Sequence, residues 1–171
     1  ESPIPLHIQI LLDETAEPIN DWLSAPGQHP FVPADYVVLW DGLRRLRPMM
    51  TAAKPVFLEW GSGMGVVTML AAALGWEAHG IELQAGLVAE SRGWAKRFGL
   101  PAHFHAGSFF PQDPEGAAEL EALCRRADVI YVYPWPDEEL RTFDLFDRLA
   151  RSGTYFLNYH SFEDLRLYRK D

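Results

Sequence analysis

Two acidic residues and three alternating glycines carry the clearest chemistry in this sequence. Glu59 stands two positions before Gly61, and Gly61, Ser62, Gly63, Met64 and Gly65 follow in series. The apolar run Val56-Phe57-Leu58 leads into this loop and Val66-Val67-Thr68-Met69-Leu70-Ala71 leads out, a pattern of strand, glycine turn and helix. Without a Cβ, Gly61 and Gly63 allow a sharp turn and a close approach of backbone to ligand. The helix start beyond them offers unpaired N–H groups and the positive end of its dipole to the same place. Glu82 ends the next apolar stretch about 20 residues past the first glycine, where a carboxylate reaches the hydroxyls of a bound ribose. Val66 occupies the place of the third glycine of a dinucleotide fingerprint.

Further candidates follow other apolar stretches. Tyr133-Pro134-Trp135 extends the run Val129-Ile130-Tyr131-Val132, with Tyr133 and Trp135 able to wall a substrate pocket. His160 ends Tyr155-Phe156-Leu157-Asn158-Tyr159 and is a candidate proton acceptor. Ser108 and Phe109 follow Ala102–Ala106. His103 and His105 share one face of that stretch, but neither they nor His79 find a third ligand at metal-binding spacing, so no metal is expected. Asp144, Asp147, Glu138 and Glu139 alternate with arginines on a helix and read as a solvated face.

These residues need a scaffold that brings the ends of several strands together. The apolar pattern predicts strands at 55–59, 77–82, 102–106, 128–133 and 154–160, with helices at 65–74, 84–98, 114–126 and around Leu140–Ala150. Before them, Tyr36, Leu39, Trp40, Leu43 and Leu46 mark a helix opened by Asp35 or Pro33 and ended by Pro48. Residues 4–12 alternate enough to suggest an amino-terminal strand that extends the sheet edge, and 13–33 read as loop with a helical turn around Asn20–Ser24. Strands alternating with helices imply a doubly wound α/β sheet.

At Glu59–Gly65 and Glu82 the chain resembles the class I S-adenosylmethionine-dependent methyltransferases. These carry an acidic residue two before the first glycine of such a loop and another at the end of the next strand. The resemblance covers about Pro33 to His160. It implies a mostly parallel Rossmann-like sheet of order 3-2-1-4-5, with S-adenosylmethionine held by Glu59, Gly61, Ser62, Gly63, Gly65, Glu82, Ser108 and Phe109. In it Glu59 serves the methionine part of the cofactor, and Ser108 and Phe109 flank the adenine. Tyr133, Trp135 and His160 then face a methyl acceptor, either a small molecule or a protein. A weaker resemblance, through Phe31-Val32-Pro33, is to small protein-lysine N-methyltransferases. The family usually ends in a sixth parallel and a seventh antiparallel strand. The eleven residues after His160 are too few for these, so 161–171 is expected to return as a short antiparallel edge strand.

Length and composition fit one domain of 171 residues, with 1–33 an extension or lid, 34–160 the cofactor-binding core and 161–171 the edge strand. The net charge of −9 argues against nucleic acid as a partner, and no apolar run is long enough to span a membrane. The single cysteine, Cys124, lies on an apolar helix face and reads as a buried thiol in a cytoplasmic protein. Two other functions use the same architecture: a cofactor-binding module without catalysis, and a nicotinamide-dependent oxidoreductase, which Val66 and Glu59 disfavour.

Overall fold

The alternating side chains of one strand already define the layers. In β1 (Val56–Trp60), Phe57 enters the core on one face of the sheet, while Leu58 and Trp60 enter the core on the other. The structure, a computed structural model, describes residues 3–28, 31–161 and 164–171. Around β1 stand β2 (Glu77–Glu82), β3 (Ala102–Ala106), β4 (Val129–Val132), β5 (Tyr155–Ser161) and β6 (Asp164–Arg169). The order is β3-β2-β1-β4-β5-β6; the first five strands are parallel, and β6 runs antiparallel to β5. This is the expected sheet, with its switch point between β1 and β4.

The helices are α1 (Leu6–Ser24), α2 (Tyr36–Leu46), α3 (Val66–Ala73), α4 (Ala85–Arg97), α5 (Pro114–Arg126) and α6 (Glu139–Leu149). Asp35 caps α2, its carboxylate accepting from Val37 N (3.0 Å) and Val38 N (3.2 Å), so Asp35 rather than Pro33 opens this helix. Ile8, Leu11, Leu39, Leu43, Met69, Leu70, Trp76 and Leu87 belong to the core on the α1–α4 side, and Leu120, Cys124, Leu145, Phe146 and Phe156 to that under α5 and α6. Each fully buried leucine contributes roughly 1.5–3 kcal/mol relative to exposure. Cys124 is buried as expected, and burial pushes its thiol up to about 12.

The amino-terminal strand does not form. Residues 6–24 make one long helix, whose buried positions Ile8, Leu11, Thr15 and Ile19 recur every three or four residues. Thr15 joins this apolar stripe by donating its hydroxyl to Leu11 O at 2.8 Å. Pro18 lies within the helix without ending it. The sheet edge beyond β5 is filled by β6 alone, and α2 lies close against it: a Cβ on Gly42 would fall 2.5 Å from Leu165 Cδ2.

Candidate active-site cleft

The carboxyl ends of β1 to β5 open into a cleft of about 710 Å³. At its centre is the glycine loop, where Gly61, Gly63 and Gly65 have φ of 76°, 53° and 80°, a region open to glycine and strained for other residues. The loop holds itself together. Gly61 N and Ser62 N both donate to Ile81 O at 2.9 Å, Gly65 N donates to Ser62 O at 2.7 Å, and Gly63 N donates to Glu82 Oε2 at 2.9 Å. Gly61, Ser62 and Gly63 line the cleft, whereas Gly65 lies behind it. A Cβ on Gly65 would fall 2.7 Å from the Phe104 ring and 2.8 Å from Ser91 Cβ, so this glycine lets α3 and α4 pack closely over β3.

Glu59 is 3% exposed, and its Oε2 accepts from Thr68 N at 2.9 Å and Thr68 Oγ1 at 2.5 Å. Burial pushes its carboxyl up to about 8; the two Thr68 bonds oppose this, and the nearby Glu82 adds to it. Room for the arrangement comes from β2: a Cβ on Gly80, the register partner of Glu59, would fall 2.9 Å from Thr68 Oγ1. On the other side Glu59 is paired in register with Tyr131. Burial first, then the charge of Glu59, raises the phenols of Tyr131 and Tyr36, so both stay neutral beside the carboxyl.

Glu82 lines the cleft with each oxygen engaged, Oε2 by Gly63 N and Oε1 by Gln84 N at 2.9 Å. A carboxylate offers about four lone-pair sites, so two backbone donors leave it able to accept further hydroxyl donors. Past β3, Ser108 and Phe109 also line the cleft; Ser108 Oγ accepts from Phe110 N at 2.9 Å, and Phe109 stacks on Trp60 with centroids 5.9 Å apart.

At the opposite end, Tyr133, Pro134 and Trp135 past β4 and His160 near the end of β5 line the same cleft. Tyr133 meets Tyr159 edge-on at 4.7 Å, and the Tyr159 hydroxyl accepts from Asp35 N at 3.2 Å, tying α2 to β5. Trp135 is 45% exposed at the rim. The Nδ1 of His160 lies 3.5 Å from Glu139 Oε1, while its Nε2 is buried without a protein partner.

The cleft thus gathers every candidate except Gly65. Sequence reasoning named Phe31 only in the weaker lysine-methyltransferase resemblance and gave no site role to Trp60, Tyr36 or Tyr131; all four line the cleft, and the Phe31 ring would lie 3.0 Å from a Cβ on Gly63. The register of Tyr131 beside Glu59 was the available signal. The solvated reading of α6 also needs correction. Glu138 lines the cleft and Glu139 pairs with His160, because a turn closed by Glu138 N donating to Trp135 O at 2.9 Å starts α6 at the cleft wall. Asp144 and Asp147 do lie on the outer face. His79, His103 and His105 stack together across β2 and β3, with His79 Nδ1 3.0 Å from His105 Nε2 and its Nε2 3.0 Å from Glu77. Among the described residues no group of three or more His, Cys, Asp or Glu is placed to hold a metal, and no helix is long and apolar enough to cross a membrane.

No protein-family model matches the chain, and no curated protein matches its sequence. Solved structures do resemble it. An RNA methyltransferase from Salinibacter ruber, in complex with S-adenosyl-L-homocysteine, is 22% identical with a TM-score of 0.61, covering 82% of this chain and 92% of that one. An O-methyltransferase from Bacillus cereus, also in complex with S-adenosylhomocysteine, is 17% identical with a TM-score of 0.59; the match covers 91% of this chain but 66% of that longer one. A hypothetical protein of Thermus thermophilus is 26% identical with a TM-score of 0.58, covering 80% of this chain and 77% of that one. The chain has the fold of the class I S-adenosylmethionine-dependent methyltransferases.

Proposed function

We propose that this protein binds S-adenosylmethionine and transfers its methyl group to an acceptor seated between Tyr133, Trp135 and His160. The observation that carries the reading is the chemistry of the glycine loop. Four of its N–H groups are committed to internal acceptors, one of them the carboxylate of Glu82. Among the described residues lining the cleft are the carboxyls Glu59, Glu82 and Glu138, with no Lys or Arg. A dinucleotide needs free loop donors for its diphosphate, so such a lining opposes the nicotinamide alternative. It suits a cofactor that carries a sulfonium and an ammonium group and has no phosphate.

Glu59 and the loop at Gly61 to Gly63 would hold the methionine part, Glu82 the ribose hydroxyls, and Phe109 with Ser108 the adenine. When bound, the cofactor supplies an electrophilic methyl whose bonding pair stays with sulfur as the acceptor takes the carbon. The chain's own part is to hold the acceptor close, oriented and away from water. Trp135 and Tyr133 give it apolar walls, Pro134 fixes the backbone that presents them, and His160 Nε2 takes a proton. Phe31, Val32 and Ala34 close one side of the cleft, so the lid-like part of the amino-terminal extension is the stretch just before α2, while α1 packs into the core and β6 forms the edge strand. The lone buried cysteine fits a cytoplasmic setting.

Calorimetric titration with S-adenosylmethionine, S-adenosylhomocysteine and NAD tests the reading. Binding of the first two and weaker or absent binding of NAD is expected; tight NAD binding with no response to the other two overturns it. A protein that binds the cofactor but methylates nothing across a broad acceptor screen would instead be a binding module.

A further inference from the structure

Resting on the methyl-transfer reading, we infer that the acceptor is an aliphatic amine that enters the cleft as a cation, guided by Glu138 and the rings of Tyr133 and Trp135. It gives up a proton to His160 Nε2 before it is methylated.

Three observations at the acceptor end converge. The first is charge. Glu138 lines this end of the cleft, and Glu139 and the exposed Asp137 stand beside it at the start of α6. Arg141 lies behind the wall with its guanidinium stacked 4.0 Å from the Phe110 ring, and Arg166 is bound to Asp164. An acceptor bearing carboxylate or phosphate would enter such a site with its charge unpaired, whereas a cation is drawn in.

The second is the aromatic wall. Tyr133 and Trp135 face the cleft, and the Tyr133 phenol, raised by burial and then by Tyr159, stays neutral. Neutral rings present the negative face of their quadrupole to an ammonium group. An alcohol or thiol lacks this attraction and offers Glu138 only a neutral hydrogen-bond donor.

The third is the imidazole. Its Nδ1 lies 3.5 Å from Glu139 Oε1, a placement that favours the proton on Nδ1 and leaves Nε2 as the acceptor. That Nε2 is buried without a protein partner, inside a residue that lines the cleft. An ammonium N–H supplies the missing donor. When the N–H bond breaks, its proton bonds to Nε2, the imidazolium charge is balanced by Glu139, and the nitrogen keeps the lone pair needed to attack carbon.

The test uses protein loaded with S-adenosylhomocysteine and three probes of one length: n-hexylamine, 1-hexanol and hexanoate. Binding is followed by saturation-transfer NMR and Trp fluorescence at pH 7. The amine should bind at least about fivefold more tightly than the alcohol, with hexanoate weakest, and Glu138→Gln should erase most of that preference. Hexanol or hexanoate binding as well as hexylamine, or an unchanged preference in Glu138→Gln, overturns the inference. Failure to load S-adenosylhomocysteine would appear before any amine is added and counts against the methyl-transfer reading itself. With S-adenosylmethionine and hexylamine, His160→Gln should lose methylated product at pH 7 and regain it near pH 10, where the free amine needs no base. Equal loss at both pH values overturns the role given to His160.

Discussion

Replacing Glu59 by Gln should make the ligand-free protein more stable at pH 8 while weakening its hold on the cofactor. Glu59 is almost wholly buried, which pushes its carboxyl up to about 8 from an ordinary 4.5. Below 4.5 it is protonated whether the chain is folded or not. Between 4.5 and 8 only the unfolded chain releases the proton, so folding loses up to about 1.4 kcal/mol for each pH unit climbed. From pH 5 to pH 8 this comes to about 3 kcal/mol, a large share of the roughly 5–15 kcal/mol that keeps a typical domain folded. Glutamine keeps an oxygen for Thr68 N and Oγ1 but does not titrate. Urea denaturation of both proteins at pH 5 and pH 8 isolates the effect, since all other groups are common to the pair. The variant should gain about 3 kcal/mol on the wild type between the two conditions. A stability difference that is the same at both pH values would show that Glu59 is charged in the folded chain and that its burial is not costly. In parallel, S-adenosylmethionine should stabilise the wild type at pH 8 far more than the variant, because only a carboxylate can pair with its cationic groups.

Glu82→Ala should lower S-adenosylhomocysteine affinity by about 10- to 100-fold, measured by calorimetry. It should also lower the melting temperature, since Gly63 N and Gln84 N lose their acceptor. Gly65→Ala should destabilise by about 1–3 kcal/mol in urea through its clash with Phe104 and Ser91, although Gly65 does not line the cleft. Trp135→Ala should leave cofactor affinity within about twofold while reducing hexylamine binding about two- to fivefold; loss of cofactor binding would place Trp135 in the wrong half of the site. Burial lowers the imidazoles of His79 and His105 below the ordinary 6.5. The unfolded chain therefore binds protons first as pH falls, and Glu59→Gln protein should lose stability below about pH 6.5; His79→Gln in that background should flatten the loss.

The parts that sequence made legible were those whose residues obey one period. Glu59, the glycines and Glu82 lie on a strand, turn, helix and strand with little ambiguity, and the five strands followed from their apolar runs; their order came with the family resemblance. The helix α1 was misread because Pro5 stands at its start, Pro18 lies inside it and a polar Thr15 interrupts its apolar stripe. Only the bond from Thr15 to Leu11 O shows why that residue can be buried. Glu138 and Glu139 failed for a different reason. In sequence they belong to an acidic and basic helix, and nothing local reveals that the first turn of that helix abuts His160. Gly65 has the spacing of a ligand-binding glycine but is fixed by packing against β3, a distinction that spacing cannot express.

The internally bonded glycine loop has a consequence for how a ligand is met. Its donors already have acceptors in Ile81, Ser62 and Glu82, so its shape is set when the chain folds. The conformational entropy of ordering those residues is lost at folding and need not be lost again on association. Cofactor arrival should therefore leave the hydrogen-exchange protection of Gly61 to Gly65 nearly unchanged. The slowing of exchange that marks binding should fall instead on the segments bordering the cleft, around Phe31–Ala34 and Tyr133–Glu138, whose side chains line it without a comparable set of backbone bonds.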